Sequence, residues 1–487
     1  MPRLILVLTL LFVLHPDTYS AVKADSLNDT LLSEQFLPQK TEQAAPANSR
    51  TSVTTSIKVP FKKKVRGFIG IFFIVAMSML LSNDRKNIQI RIIVFGLLMQ
   101  ILLAVLILHV PFIEGFFTLI GNIFIKVLEA TEAGSKFLFG NLVDLDRTGY
   151  VFAFQVLPTV IFFSALMSLL FYLGVIQFVV YGMAWGLSKI LKMSGHESLA
   201  VAGNIFLGQT ESPLLIKAYL PKLTNSELFT VMVSGLATIA GGVMAAYIGM
   251  LGGNDPVERL NFARHLVTAS VMAAPGSVVI AKIIFPQTDE YDHYIEIPKH
   301  HVGKNILDSI SNGAYEGLKL AANIAIMLLV FYAFIALFNA ILLKLGSITH
   351  LNSWITNVSN GQYHSLSIEF LLGMIFSPIM WVLGVPLEDL SNLGRLMGEK
   401  LVFTEFVGYS NLSKLVASGG IQSPRSILIA TYMLCGFANF ASVGILVGGL
   451  GSLAPNKKEF ISKYGMRAMI AGTFASMLSA AVVGIIV

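Results

Sequence analysis

Eight stretches of this chain are apolar over lengths that can cross a bilayer, near 67–82, 91–111, 151–174, 228–251, 262–285, 320–345, 427–450 and 467–487. A transmembrane helix needs about 20 such residues. Backbone polar groups in hydrocarbon must bond within their own helix or around a closed barrel, so runs of this length fold as helices. The composition agrees where it bears on the argument. Hydrophobic residues make up 55% of the 487 and charged residues 13%, with a mean hydropathy of +0.72. That is too little polar surface for a soluble globule and the reverse of a disordered chain. The reading is an all-α polytopic membrane protein, multi-pass in the cell inner membrane and in contact with membrane lipid. A single cysteine, Cys435, excludes a disulfide framework and a multi-cysteine metal site. The net charge of +6 is not a nucleic-acid footprint, because Lys and Arg stand in short clusters between the apolar runs.

The N-terminus differs from the rest. Leu4–Leu14 is too short to span, and it is followed by His15–Pro16 and by the small residues Ser20, Ala21 and Ala24. It reads as a signal peptide over 1–24, with a short membrane anchor as the alternative. Residues 25–57 are rich in Ser, Thr, Gln, Ala and Pro, so a disordered periplasmic tail is expected over 25–65. Orientation follows from the basic residues. Arg85, Lys86 and Arg91, then Lys189, Lys192, Lys217 and Lys222, then Lys282, Lys299 and Lys304, then Lys457, Lys458, Lys463 and Arg467 fall on one side if the mature N-terminus is outside. The positive-inside rule then favours both termini out, against the single cluster Lys62, Lys63, Lys64 and Arg66. Three further stretches read as amphipathic interfacial helices: 115–143 with Lys126, Glu129, Glu132 and Lys136, 175–193 with Trp185, Lys189 and Lys192, and 367–384.

Two segments break the pattern. Residues 197–222 would make one helix of about 39 Å, yet Gly208–Gln209–Thr210–Glu211–Ser212–Pro213 interrupts it, and Pro213 suits the first turn of a new helix. Two half-helices of about 18 Å each would carry a polar tip past the middle of a ~30 Å core and back. Residues 386–416 repeat the theme, with halves meeting at Phe403–Thr404–Glu405–Phe406. Each re-entrant hairpin is followed by a broken span, Gly235–Leu236–Ala237–Thr238–Ile239–Ala240–Gly241 and Gly436–Phe437–Ala438–Asn439–Phe440–Ala441–Ser442. The Thr–Glu pairs recur about 194 residues apart, and Arg264 and Arg467 open the last span of each half. The chain therefore holds an internal repeat whose hairpins enter from opposite sides, and inverted repeats with discontinuous helices mark secondary transporters. The expected organisation is N-terminal scaffold spans with interfacial helices over 66–195, a first transport unit over 196–290, an inner loop with a scaffold span and an interfacial helix over 291–385, and a second transport unit over 386–487.

GNIFLGQTESPLL, GLATIAGGV, VTASVMAAPGSVVIAK, TEFVGY and CGFANFASVGI, in this order, resemble the concentrative nucleoside transporter family over roughly 67–487. The resemblance implies a core of eight spans with two re-entrant hairpins, a homotrimer, and inward movement of nucleoside with a coupling cation. It assigns Gln209, Thr210 and Glu211 to the base, Glu405 with Asn439 and Ser442 to the ribose hydroxyls, and Phe437 and Val243 to the walls beside sugar and base, where plain packing is the rival reading. Asn204, Leu207, Thr238 and Ile239 match the positions where sodium-coupled members hold sodium. The residues make sense without the name: a nucleoside's donors and acceptors need amide and carboxylate partners in a dry pocket, a mid-membrane carboxylate such as Glu211 marks function, and carbonyls with hydroxyls suit a small hard cation. The four cation-site positions include no carboxylate, which favours sodium and leaves proton coupling as the alternative. Thr404 departs from the Asn that many members carry before the second Glu. Gly208–Gln209 resembles broadly selective members, so purines and pyrimidines are both expected. No cofactor and no catalytic residue is expected. An intramembrane enzyme using Glu211 and Glu405, or a channel, are the readings from other classes. His293, His300 and His301 are read as loop residues without a metal.

Overall fold

The computed structural model describes residues 61–148, 151–253, 255–291, 303–359 and 361–487. The signal peptide, almost all of the expected tail, and His293, His300 and His301 lie outside the described residues. Within them every regular element is helical. The N-terminal part holds α1 (Phe61–Leu80), α2 (Ile90–His109), α3 (Pro111–Phe139), α4 (Leu157–Tyr172) and α5 (Val175–Leu191). The first repeat holds α6 (Gly195–Gly203), α7 (Asn225–Ala237), α8 (Gly241–Gly252) and α9 (Pro256–Ile284). Then come α10 (Ile306–Ile348), α11 (Leu351–Val358) and α12 (Ile368–Val382). The second repeat holds α13 (Leu390–Val402), α14 (Glu405–Ala417), α15 (Pro424–Leu434), α16 (Phe440–Leu453) and α17 (Lys458–Ile486).

Six of the eight expected spans fall in helical segments long and apolar enough to cross: Ile90–His109, Phe152–Tyr172, Asn225–Gly252, Pro256–Ile284, Ile306–Ile348 and Pro455–Ile486. The run at 67–82 lies in the shorter apolar helix Val65–Leu80, and the run at 427–450 is split between α15 and α16. One stretch differs from expectation. Pro111–Val143, read as interfacial, also has the length and composition of a span. Its other charges gather in its C-terminal half, which leaves an N-terminal half with one charge, Glu114, paired to Arg264, and with Phe112, Phe116, Leu119 and Ile123 exposed.

The two repeats form the core. The apolar windows of Asn225–Gly252 and Pro256–Ile284 are wholly buried, whereas that of Ile306–Ile348 is not buried at all. Helix α10 lies along α4, where Gly313 and Gly317 let the backbones at Ala165 and Ile161 come close. Helices α1 and α2 pack instead on α9 and α17. Gln100 of α2 is fully buried there, and its amide donates to the Met272 carbonyl at 3.2 Å and to Ser479 Oγ at 2.9 Å.

Both hairpins form, with unequal arms. In the second, α13 and α14 are regular helices joined at Phe403–Thr404. Asn411 on α14 donates to Glu399 on α13 at 2.9 Å, and Arg395 donates to the other Glu399 oxygen at 2.7 Å. The first hairpin pairs the nine-residue α6 with a 3₁₀ turn over Ser212–Ile216 rather than with an α-helical half. Pro213 lacks an amide donor, and the Ser212 hydroxyl bonds across to the Ala200 carbonyl at 2.6 Å. That bond and the bare face of Gly203 against Leu215 hold the arms too close for a regular second helix.

The repeat is visible in how helix ends are clasped. Ser226, two residues past the cap of α7, donates its hydroxyl to the Phe285 carbonyl at the end of α9 at 2.6 Å. The corresponding residue near the start of α15, Arg425, donates Nε to the Gly484 carbonyl near the end of α17 at 2.9 Å. Lys282, expected among the inner-loop charges, is instead buried. Its ammonium meets Glu197 of α6 at 2.6 Å, with side chains 4% and 1% exposed, and donates to Ser226 Oγ at 3.0 Å. Removing one partner of a buried pair strands the other charge. Lys282→Met is therefore expected to lose about 3–5 kcal/mol of stability, read as a lower midpoint of thermal unfolding in detergent. The double variant Glu197→Gln/Lys282→Met should recover part of that loss.

Candidate functional site

The chain leaves helical geometry at two places inside the core, and the two breaks touch. The chain is non-helical over Thr238–Ala240, between α7 and α8, and over Cys435–Asn439, between α15 and α16, with Thr238, Ala240, Cys435 and Asn439 themselves extended. The Phe437 amide donates to the Thr238 carbonyl at 3.2 Å. Gly436 makes this approach possible. Its φ is +134°, and a Cβ there would stand 2.8 Å from the Ala237 carbonyl oxygen.

Around the breaks, the structure gathers most of the side chains singled out from the sequence. Glu405 opens α14 and is 3% exposed. Its Oε2 accepts from Asn439 Nδ2 at 2.7 Å and its Oε1 from the Tyr247 hydroxyl of α8 at 3.2 Å. Asn439 is at the same time the cap of α16, its Oδ1 accepting the Ser442 amide at 2.8 Å. Glu405, Asn439 and Ser442 thus form one bonded group at the N-termini of α14 and α16, where the helix dipoles favour an anion. Phe437 is partly buried beside them.

Glu211 faces a second group. Its Oε2 accepts the Gly208 amide at 3.3 Å, which closes the hairpin tip on itself. It lines a cleft of about 280 Å³ with Phe206, Val243, Gly241 and Gly242 on one side and Val160, Phe163, Ser164 and Leu320 on the other. Gln209 is buried against Gly235, and its Oε1 has no hydrogen-bond partner. Thr210 is exposed, with its methyl group toward Gly449 of α16. A larger cleft, about 610 Å³, lies between α3, the residues leading into α4, and the C-terminal half of α8, and it contains none of the expected site residues.

The cation candidates come together on one serine. Asn204 is fully buried and donates to Ser234 Oγ at 2.8 Å, while Thr238 donates to the Ser234 carbonyl at 2.8 Å. The Gly241 amide bonds the Phe206 carbonyl at 2.9 Å and ties the start of α8 to the hairpin beside Leu207 and Ile239. Asn204 Oδ1 is buried with no hydrogen-bond partner, a condition that costs about 1–3 kcal/mol unless a ligand answers it. A carbonyl oxygen without a donor is what a hard cation needs, so the donor set fits sodium.

Sequence reasoning missed three residues here. Ser234 and Tyr247 each lie one helical turn from a residue it did pick, Thr238 and Val243, and a turn is the distance at which side chains share a face. Lys400 gave no such signal. It is fully buried in α13 and donates to the Met433 carbonyl at 2.8 Å and to Ser476 Oγ at 2.9 Å.

Comparison with known proteins converges. Models of the Na+ dependent nucleoside transporter match at its N-terminus over residues 69–142 and at its C-terminus over 265–484, with a nucleoside recognition (gate) model over 153–254 between them. An uncharacterized transporter of Haemophilus influenzae is 38% identical over 424 residues, covering 86% of this chain and 97% of the relative. The chain belongs to the concentrative nucleoside transporter family. The sodium/nucleoside cotransporter 1 of rat is 37% identical over 436 residues, and the chain spans 63% of that relative's length. Among solved structures, CNTnw in an inward-facing substrate-bound state superposes with a TM-score of 0.79 at 35% identity, covering 87% of this chain and 97% of that one. A CNTnw variant in an outward-facing state gives 0.79 as well. The protein is thus a multi-pass transporter of the plasma membrane, not an enzyme, in a family of Na+-dependent nucleoside transporters.

Within this transporter the two tip carboxylates carry the first test. Glu211→Gln and Glu405→Gln each keep size and remove a charged acceptor, whose loss costs about 1.5–3 kcal/mol. Each is expected to lower nucleoside affinity roughly 10- to 150-fold while the protein still reaches the membrane. Equilibrium binding on purified protein reads the effect, and near wild-type affinity in both would remove the site assignment.

Proposed function

We propose that the chain takes up purine and pyrimidine nucleosides together with sodium, as a homotrimer. The observation that carries this reading is the pairing of two unlike sites across the touching breaks. On one side Glu405 and Asn439 offer carboxylate and amide to ribose hydroxyls, with Ser442 next to them and Phe437 along the sugar. On the hairpin side Glu211, with Gln209 and Thr210, serves the base, and Val243 forms the wall of the same cleft. Behind the tip, Asn204 and Thr238 with the backbone at Leu207 and Ile239 hold the ion. Sodium there lies between the hairpin and the break of α7–α8, so it orders both partners of the base site. Linkage then requires each ligand to raise the other's affinity equally. The absence of a carboxylate among these four residues favours sodium over a proton as the coupled ion.

Alternating exposure follows from where the contacts are. The touching breaks and the packing of α7 and α9 on α17 bind the two repeats into one body. Helices α1 and α2 pack on that body at α9 and α17, α2 through Gln100, so the moving unit proposed here takes them in along with the units 196–290 and 386–487. The remaining frame is α4 with α10, which meets the body along a seam of small residues on α8. Gly241 and Gly242 lie directly against the Phe163 ring of α4, and small residues permit sliding contacts.

Uptake into proteoliposomes with imposed gradients tests coupling. Nucleoside affinity is expected to rise with sodium at fixed pH, and Thr238→Ala or Asn204→Ala should raise the sodium needed for half-maximal uptake about tenfold without altering base preference. Uptake indifferent to sodium that follows pH replaces sodium with a proton. Uptake that cannot exceed equilibrium replaces the symporter with a channel.

The moving unit has its own test. A Cβ on Gly242 would stand 3.3 Å from Cβ of Phe163, close to the spacing of a disulfide. In a Cys435→Ala background, Phe163→Cys/Gly242→Cys should transport when reduced and stop when oxidised. Full transport by fully crosslinked protein would leave local gating at the tips as the mechanism.

A further inference from the structure

We infer that Tyr247 is the positioning residue of the sugar-binding carboxylate, fixing how Glu405 presents itself to a vicinal diol. The inference deepens the proposed function and rests on its reading of Glu405 as the acceptor for ribose.

A carboxylate has two oxygens and about four lone-pair sites. Free to rotate about its last torsion, it offers them in many orientations, because terminal carboxylate torsions are broad. In this chain the two oxygens are held from two different helices. Asn439 of the second repeat donates to Oε2 at 2.7 Å, and Tyr247 of the first repeat donates to Oε1 at 3.2 Å. With one protein donor on each oxygen, the carboxylate plane is fixed, and each oxygen keeps acceptor capacity. Two neighbouring hydroxyls can then donate one bond to each oxygen, which is the pairing that a cis-diol requires.

The phenol is itself held firmly. Tyr247 is fully buried, with its ring stacked on Tyr409 at 4.1 Å and edge-on to Phe406 at 4.8 Å. Ser413 of α14 donates to the Met250 carbonyl at 2.8 Å, which sets the register of α14 on α8 one turn away. A ring this enclosed does not touch substrate. It acts through Glu405.

Tyr247→Phe removes the hydroxyl and keeps both ring contacts, so the fold is retained. The measurement is KM and maximal rate for uridine and for 2′,3′-dideoxyuridine in proteoliposomes, beside Glu405→Gln and wild type. The expected result is a roughly tenfold rise in KM for uridine, the size of one hydrogen bond to a charged group. The KM for the dideoxy analogue should be unchanged, as should maximal rate and sodium dependence. A structural role would move both nucleosides together, and such parallel shifts, or no shift in either, overturn the inference. Calorimetric binding of the same two nucleosides to purified protein gives the same discrimination if insertion into vesicles is poor. If Glu405→Gln binds uridine as wild type does, the site reading fails and the inference with it. If Glu405→Gln loses uridine binding and Tyr247→Phe does not weaken it, only the positioning role fails.

Discussion

The rest of the structure depends on one constraint. A helix that breaks inside an apolar core exposes amide and carbonyl groups that have no water to bond, and each unanswered group costs several kcal/mol. This chain breaks helices four times in its core, at two hairpin tips and two interrupted spans. It answers the groups mostly with one another. The Phe437 amide bonds the carbonyl of Thr238, and the Gly241 amide bonds the carbonyl of Phe206. The first bond joins the two repeats and the second joins the first hairpin to the broken span that follows it, so the breaks that weaken single helices are what hold these elements together. Gly436 is the position where this becomes steric: no side chain fits between it and the Ala237 carbonyl.

The same requirement makes the site residues. A helix start leaves amides without partners, and short polar side chains there accept them. Thr404 caps α14 by accepting the Val407 amide, and Asn439 caps α16 by accepting that of Ser442. Asn439 then has its amide nitrogen left over, and it bonds Glu405. One residue thus completes a helix and positions a carboxylate, which is why fold and site cannot be varied independently at the second break. Thr404 keeps the capping half of that arrangement because a hydroxyl accepts as an amide oxygen does. Its hydroxyl hydrogen remains free to donate while the oxygen caps the helix.

This doubling also explains what could be read from the sequence. Breaks, tips and caps are local: Gly, Pro and polar residues inside apolar runs announce themselves, and both hairpin tips and both interrupted spans were legible, whereas the grouping of Glu405 with Asn439 came only from the family resemblance. Contacts between repeats were not. Tyr247 lies 158 residues from Glu405, and a tyrosine in an apolar helix looks like packing until the partner helix is in place. Lys282 reads as a loop charge because it stands at a span end, and its burial depends on Glu197 arriving from another helix. The 3₁₀ arm of the first hairpin was hidden for a different reason. Pro213 marks a helix start equally well whether the next turns are wide or tight, and only the cross-bond from Ser212 to Ala200 decides between them.

Buried charge is handled unequally by the two halves. In the first repeat Lys282 is neutralised by a carboxylate. The second also pairs Arg395 with the buried Glu399, but there Lys400 donates to the Met433 carbonyl and Arg425 to the carbonyls of Gly484 and Gly384. Carbonyls at helix C-termini carry partial negative charge, and α12, α15 and α17 all end at these cations. A helix end can satisfy a cation in this way without placing a second full charge in the core, so the burial penalty of a paired anion is avoided. The arrangement has a mechanical corollary. Lys400 ties the second hairpin to α15 and to Ser476 of α17, and Arg425 ties α15 to the ends of α12 and α17. Lys282 ties the first hairpin to α9. The first hairpin is therefore fastened at its base to α9, the last helix of its repeat, whereas the second is fastened to α15 and α17 at Lys400, three residues before its tip. The two tips are thus held differently: the first closes on itself through the Gly208 amide and Glu211, and the second is anchored from both repeats through Lys400 and Glu405.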